Sequence, residues 1–154
     1  MIQDFRRYLL LLNCQRQEYY YSDLGLRNAR LEFRQLEETH IMENILYNDL
    51  IRRGLNVDVG VVEYNTKDSS GKKIRKQLEV DFVVNNGNKR YYIQSALSIA
   101  DSEKKEQEIA SLERIPDSFS KIVVVKDYLK PWQDDKGIMY IGIEQFLLDE
   151  DILR

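Results

Sequence analysis

Apolar residues recur at helical spacing from Leu36 to Arg53, where Leu36, Ile41, Met42, Ile45, Leu46 and Leu50 form one stripe. Gly54 follows where a left-handed C-cap is wanted, so a helix is predicted over this stretch. The period then changes to two. Val57, Val59 and Val61 alternate as a strand, with Val62 and Tyr64 on its other face, and the turn-rich run Asn65 to Gly71 is expected to be a mobile loop. Leu78, Val80, Phe82 and Val84 alternate with Glu79, Asp81 and Val83; Asn86-Gly87 supplies a favoured two-residue hairpin turn, and Tyr91 to Leu97 makes the return strand.

Beyond the hairpin, Asp101 or Ser102 can cap a helix containing Ile109 and Leu112, stopped by Pro116. Lys121 to Val125 is a short, continuously apolar strand, Ile138 to Ile143 another, and Glu144 to Leu148 starts a closing helix. At the other end, residues 2 to 12 have roughly helical spacing, and Glu18 to Tyr21 reads as a short strand whose tyrosines serve packing before base stacking. Helices alternating with strands in this order predict an α/β domain: a central mixed sheet containing a β-hairpin, flanked by helices. Residues 1–18 are expected to be a helical or linker segment and residues 19–154 the domain.

A chain of 154 residues suits one domain with a core that needs no disulfide or structural metal. Cys14 is the sole cysteine, which excludes an internal disulfide and a cysteine metal cage, and it has no activating neighbour in sequence. His40 has no second His or Cys at ligand spacing. The longest apolar run, Leu9 to Leu12, is far below the roughly 18 residues of a membrane span, and Asp4 argues against a signal peptide; a soluble, cytoplasmic protein without membrane association is expected. The net charge of −3 excludes a broadly basic nucleic-acid coat. Lys72, Lys73, Arg75 and Lys76, with Lys67 nearby, make one local basic cluster, readable either as edge protection or as a nucleic-acid contact. Trp132 in a loop is expected to pack back on the sheet.

With Asn86-Gly87 as the turn, Val84 is set opposite Lys89, Asp81 opposite Tyr92 and Glu79 opposite Gln94. Leu78, Val80 and Phe82 then share a face with Tyr91, Ile93 and Ser95, while Glu79 and Asp81 share the other with Arg90, Tyr92, Gln94 and Ala96. Two carboxylates at i, i+2 could hold a divalent cation, although acids on a strand face are usually just solvated. Glu43, at the edge of the helix stripe, counts with them if it turns toward the sheet.

Ile41-Met42-Glu43-Asn44-Ile45, Glu79-Val80-Asp81-Phe82 and Tyr92-Ile93-Gln94-Ser95 together resemble the PD-(D/E)XK, restriction-endonuclease-like superfamily. More narrowly, the chain is similar to the C-terminal domain of unknown function of prokaryotic AAA-type ATPases, through Tyr20 to Asn28, Ser102 to Ile115, Ser120 to Val123 and Gly137 to Leu148 as well. The resemblance spans roughly residues 19 to 148. It implies that Glu43 stands for the helix acid, Asp81 for the metal-binding acid, Gln94 for the second acid and Ala96 for the lysine. Two of the four have changed, leaving Glu43, Asp81 and Gln94 as a vestigial site and Asp81 with Glu79 as a weak metal pair at most. Gln94 has no charge, Ala96 no donor, and Arg90 nearby is a poor base. Losing one charge-stabilising group costs about two to three orders of magnitude in rate, so useful cleavage is not expected.

The leading expectation is therefore a catalytically degenerate accessory domain that binds a partner or nucleic acid for an AAA-type ATPase module in the same or another chain. No cofactor is expected, because no Gly-x-x-x-x-Gly-Lys-Ser/Thr run occurs and the metal charge is depleted. A metal-dependent nuclease using Mg²⁺ is the alternative, and a simple DNA or RNA binder using Lys72, Lys73, Arg75, Lys76 and Arg90 is a third. A homo-oligomer is compatible with any of them.

Overall fold

The computed structural model describes residues 20–30 and 37–154. The helix expected over residues 2–12, Cys14, Leu36 and the first half of the Glu18–Tyr21 strand lie outside them. The elements run α1 (Leu24–Arg30), α2 (Glu38–Arg52), β1 (Asn56–Lys67), β2 (Lys73–Asn86), β3 (Lys89–Ala96), α3 (Ser102–Glu113), β4 (Ser120–Val125), β5 (Trp132–Gln133), β6 (Ile138–Gly142) and α4 (Ile143–Leu148). Six strands form one sheet in the order β1-β2-β3-β4-β6-β5. The hairpin half is antiparallel, β3, β4 and β6 are parallel, and β5 runs antiparallel at the edge. This is the mixed sheet with flanking helices that the alternation of periods predicts. No helix among the described residues is long and apolar enough to cross a membrane.

The local reasons are legible in the residues. At the end of α2 the Leu55 amide donates to the Leu50 carbonyl and the Gly54 amide to Ile51, with Gly54 at φ 74°, a closure that uses the left-handed conformation glycine adopts without a Cβ penalty. Asp101, not Ser102, caps α3, its carboxylate accepting from the Glu103 amide at 3.0 Å. Strand β4 is apolar from Ile122 to Val125, where both of its faces are covered. Ile122 and Val124 join Met42, Leu46, Leu50, Phe82, Ile93 and Phe146 under α2 and α4. Val123 and Val125 join Tyr92, Ile109, Leu112 and Tyr140 under α3.

Three expectations need correcting. Asn65 to Gly71 is not a mobile loop: β1 runs to Lys67, which pairs with Lys73, so the turn is confined to residues 68–72. Asp68 closes it by accepting from the Ser70 amide and hydroxyl and from the Lys72 amide, and these bonds, that to the Ser70 side chain first, hold its carboxyl below the usual range. Tyr20 and Tyr21 are not in a strand; the Tyr20 ring stacks on Tyr47 at 4.2 Å, while the Tyr21 amide and carbonyl are bonded by Asn44 and Asn48 of α2. Their role is packing, as expected. The hairpin turn is Gly87-Asn88, not Asn86-Gly87, since Asn86 pairs with Lys89 and Val84 with Tyr91. That moves the register by two residues, which leaves side-chain faces unchanged.

Helix α1 and strand β5 are additions to the predicted set. Trp132 of β5 stacks on Tyr140 at 4.5 Å, the packing role expected of it. Between β5 and β6, Asp134 collects the Ile138 amide and the Tyr140 hydroxyl, and burial followed by that hydroxyl bond pushes the Tyr140 phenol far up. Gly142, which leads from β6 into α4, leaves no room for a side chain: a Cβ there would sit 2.7 Å from the Leu129 nitrogen and 2.8 Å from the Asp127 oxygen. Both are backbone atoms and cannot swing away. Gly142→Ala is therefore expected to lower stability by about 1–3 kcal/mol, read from the midpoint of urea unfolding at unchanged slope.

Candidate functional site

Strands β1 and β2 slip against each other between Asp58–Val83 and Gly60–Val80, so that Val59 alone opposes both Asp81 and Phe82. The extra residue is a β-bulge, and it reverses the alternation on β2. Val80 consequently packs under α3 while Phe82 and Val84 pack under α2, against the expectation that Leu78, Val80 and Phe82 share one face. Gly60 makes the irregularity sterically acceptable, because a Cβ at that position would meet Val83 Cγ2 at 2.7 Å. The same point is where β2 parts from β3, whose last paired residues are Phe82 and Ile93. Asp81 thus stands at a fork: its amide is released from regular pairing and its side chain is aimed across the gap.

Gln94 and Ser95 of β3 meet it there. The Gln94 Nε2 donates to Asp81 Oδ1 at 2.8 Å; the Ser95 amide and hydroxyl donate to Oδ2 at 2.8 and 2.7 Å. In return the Gln94 Oε1 accepts from the Asp81 amide at 3.4 Å and from the Ser111 hydroxyl of α3 at 3.5 Å. Gln94, Ser95 and Ser111 are all buried. The meeting of Asp81 with Gln94 that the resemblance implies is therefore present, although the predicted register set Gln94 opposite Glu79 instead. An acid at residue 94 would face Asp81 across the same gap and need a cation between them; an amide turns that repulsion into a hydrogen bond. The Ala96 side chain, on which the resemblance sets the lysine, is buried against α3 and offers no donor.

The remaining candidates are dispersed. Glu43 is on α2 with its side chain 18% exposed, 3.4 Å from His40 Nδ1. Glu79 lies past the bulge, paired with Val61. Among the described residues no three His, Cys, Asp or Glu side chains form a group that could hold a metal ion, so Glu43, Glu79 and Asp81 do not converge as one. Lys72, Lys73, Arg75 and Lys76 are exposed on the two-stranded arm that β1 and β2 make beyond the fork. Alternation puts Lys73 and Arg75 on one face of that arm and Lys76 on the other. Arg75 is ion-paired with Glu63, and Arg114, just past α3, lies over the Tyr64 ring at 4.4 Å, bracing the arm. Arg90 is at the opposite end of β3 from Gln94, about 13 Å along the strand, and is not part of the site.

Ser95 and Ser111 were not anticipated. Ser95 reads as a residue of the other face, and only the bulge lets the Asp81 carboxylate reach its amide and hydroxyl; Ser111 carries no sequence signal beyond being a polar residue in the helix.

No family model matches the chain. An uncharacterised protein of Haemophilus influenzae is 28% identical over 131 residues, covering 85% of this chain. The chain spans only 28% of that relative's length.

Proposed function

We propose that the chain is a non-catalytic module of nuclease lineage, resident in the cytoplasm, that holds nucleic acid or a partner for an AAA-type ATPase module. The observation that carries this reading is the bonding of Asp81: both its oxygens are engaged by Gln94 and Ser95 at the place where an active PD-(D/E)XK site would present them to a metal. Such a metal polarises the phosphate and generates the nucleophile, and a neutral amide with a neighbouring alanine supplies neither charge nor proton acceptor. The length of the Haemophilus influenzae relative supports a module working within a larger protein. The arm bearing Lys67, Lys72, Lys73 and Lys76 supports nucleic acid as one ligand, since these cations project from a chain that is otherwise net acidic.

The test has two parts. Incubated with duplex DNA, single-stranded DNA and RNA in Mg²⁺ or Mn²⁺, the purified chain is expected to leave all three intact; cleavage abolished in Asp81→Ala would overturn the non-catalytic reading and favour a metal-dependent nuclease. Binding to labelled duplex is expected to weaken with salt, and replacing Lys72, Lys73 and Lys76 by glutamine to reduce the log–log slope by roughly 0.9 for each phosphate that ceases to be neutralised. If neither nucleic acid nor a co-purified ATPase associates with the chain, the accessory role is excluded.

A further inference from the structure

Where β3, β4 and β6 begin, at the end of the sheet remote from Asp81, lies a groove of about 470 Å³. Its walls are the hairpin end, the segment entering β4 and the start of β6, and the charged side chains in its lining are Lys89, Arg90, Lys121 and Arg154, the last ion-paired with Asp151. We infer that this groove binds a phosphate-bearing small molecule of nucleotide size.

The bonding of the cations carries the argument. Among the described residues Lys89, Arg90 and Lys121 make no ion pair. Neutral groups hold Arg90 and Lys121 instead. The Arg90 Nε donates to Asn85 Oδ1 at 3.0 Å while its guanidinium lies 5.5 Å from the Phe119 ring centre. The guanidinium also lies against the Tyr92 hydroxyl, and the N–H donors that remain can reach phosphoryl oxygens. Lys121 commits one proton to the Ile115 carbonyl at 2.8 Å, which places its ammonium and keeps two donors. Asp117, the carboxylate nearest in sequence to this wall, is turned to other work, accepting from the Tyr92 hydroxyl at 2.6 Å and from the Phe119 amide at 3.1 Å. Ser118 and Ser120 add hydroxyl donors.

The remainder of the ligand is indicated by size and by Phe119. The volume falls within the range of about 300–1,000 Å³ that small-molecule sites occupy. Phe119 is 42% exposed beside the cations, with Ile122 and Met139 also in the lining, which gives a flat, apolar surface for a ring. A nucleoside phosphate satisfies both halves of the groove; inorganic phosphate satisfies one. The phosphates of a nucleic acid share this chemistry, and competition separates the two sources.

The test is calorimetric titration of the full chain with a nucleoside diphosphate, with pyrophosphate and with a 12-nucleotide single strand. One-to-one binding of the nucleoside diphosphate is expected, with Kd of about 1 mM or tighter and pyrophosphate about tenfold weaker. Arg90→Gln combined with Lys89→Gln is expected to weaken it at least tenfold, since charge-assisted bonds are removed, with an unchanged unfolding midpoint. Replacing Lys72, Lys73 and Lys76 by glutamine is expected to leave it unaltered, which keeps this result separate from binding on the arm. No saturable binding of the nucleoside diphosphate, or binding indifferent to the Lys89 and Arg90 changes, would overturn the inference. Preference for the 12-nucleotide strand, abolished with Arg90→Gln and Lys89→Gln, would overturn it in favour of a nucleic-acid contact.

Discussion

Replacing Arg53 by methionine is expected to lower the free energy of unfolding by about 3 kcal/mol, at the lower end of what breaking a buried ion pair costs. The Arg53 side chain is only 8% exposed, as is that of Asp49, and its Nε donates to Asp49 Oδ2 at 2.7 Å. Its remaining donors reach across to α4, where the Phe146, Leu147 and Asp149 carbonyls accept at 2.8, 3.2 and 2.8 Å. These are the carbonyls that a helix C-terminus leaves without internal partners, so one side chain both satisfies Asp49 and finishes the neighbouring helix. Methionine keeps much of the apolar bulk but abandons four acceptors. The cost stays near the lower end because Arg52 still donates to Asp49 Oδ1 at 2.8 Å. Urea unfolding of Arg53→Met, alone and with Asp49→Asn, checks this: the double replacement should recover part of the loss, since no carboxylate is then left buried without its strongest partner.

Gln94→Glu is expected to cost a further class of stability, one that depends on pH and on cations. It removes the Nε2 donor 2.8 Å from Asp81 and puts a second carboxylate in its place, in a buried position. Two carboxylates at that distance cannot both ionise at low cost, so the pair retains one proton well above the usual carboxylate range. A folded-state pKa raised above the unfolded value means that the folded form binds the extra proton more tightly. The variant should therefore be close to the parent in stability at pH 4 and fall below it as pH rises toward 7, by about 2–4 kcal/mol for a shift of roughly two to three pH units. A divalent cation should reverse part of that loss, because oxygen ligands of opposite charge are what Mg²⁺ and Mn²⁺ require. Thermal unfolding of parent and variant across pH, with and without millimolar Mn²⁺, is the measurement. A variant equally destabilised at every pH and blind to Mn²⁺ would mean that the Asp81 fork is structural and has no metal-site geometry left.

The elements were legible where one physical signal dominated. The helix that stops before Gly54 and the continuous apolar run of β4 each follow from a period or a single well-placed residue, whereas the cap of α3 was narrowed only to Asp101 or Ser102. Short elements without a period, α1 and β5, were not legible, because seven or two residues carry too little pattern to stand out. The hairpin shows the limit most clearly. Asn86-Gly87 is the stronger turn dipeptide, yet the chain turns at Gly87-Asn88, with Val84 set against Tyr91 and both in the core. Burial of the two strands outweighed local turn chemistry. At the candidate site, Asp81 and Gln94 could be named from the order of motifs, whereas the bulge that joins Ser95 to them could not, since it depends on how Gly60 of another strand lets Val83 approach. The basic end of the sheet carries no sequence signal for a similar reason: Lys89 is far along the chain from Phe119 and Lys121 and becomes their neighbour only through parallel pairing of β3 with β4.

That pairing is also expected to divide folding in time. Strands β1, β2 and β3 are consecutive, joined by two tight reversals, and can zip up within microseconds of one another, whereas β4 and β6 must wait for intervening segments to close long loops before any pairing rewards them. The fork at Asp81 sits where the early half meets the late one, since Gln94 must join β2 on one side and Ser111 of α3 on the other. A polar junction at that seam would discourage premature apolar collapse of the meander onto the wrong partner while the parallel strands are still unplaced.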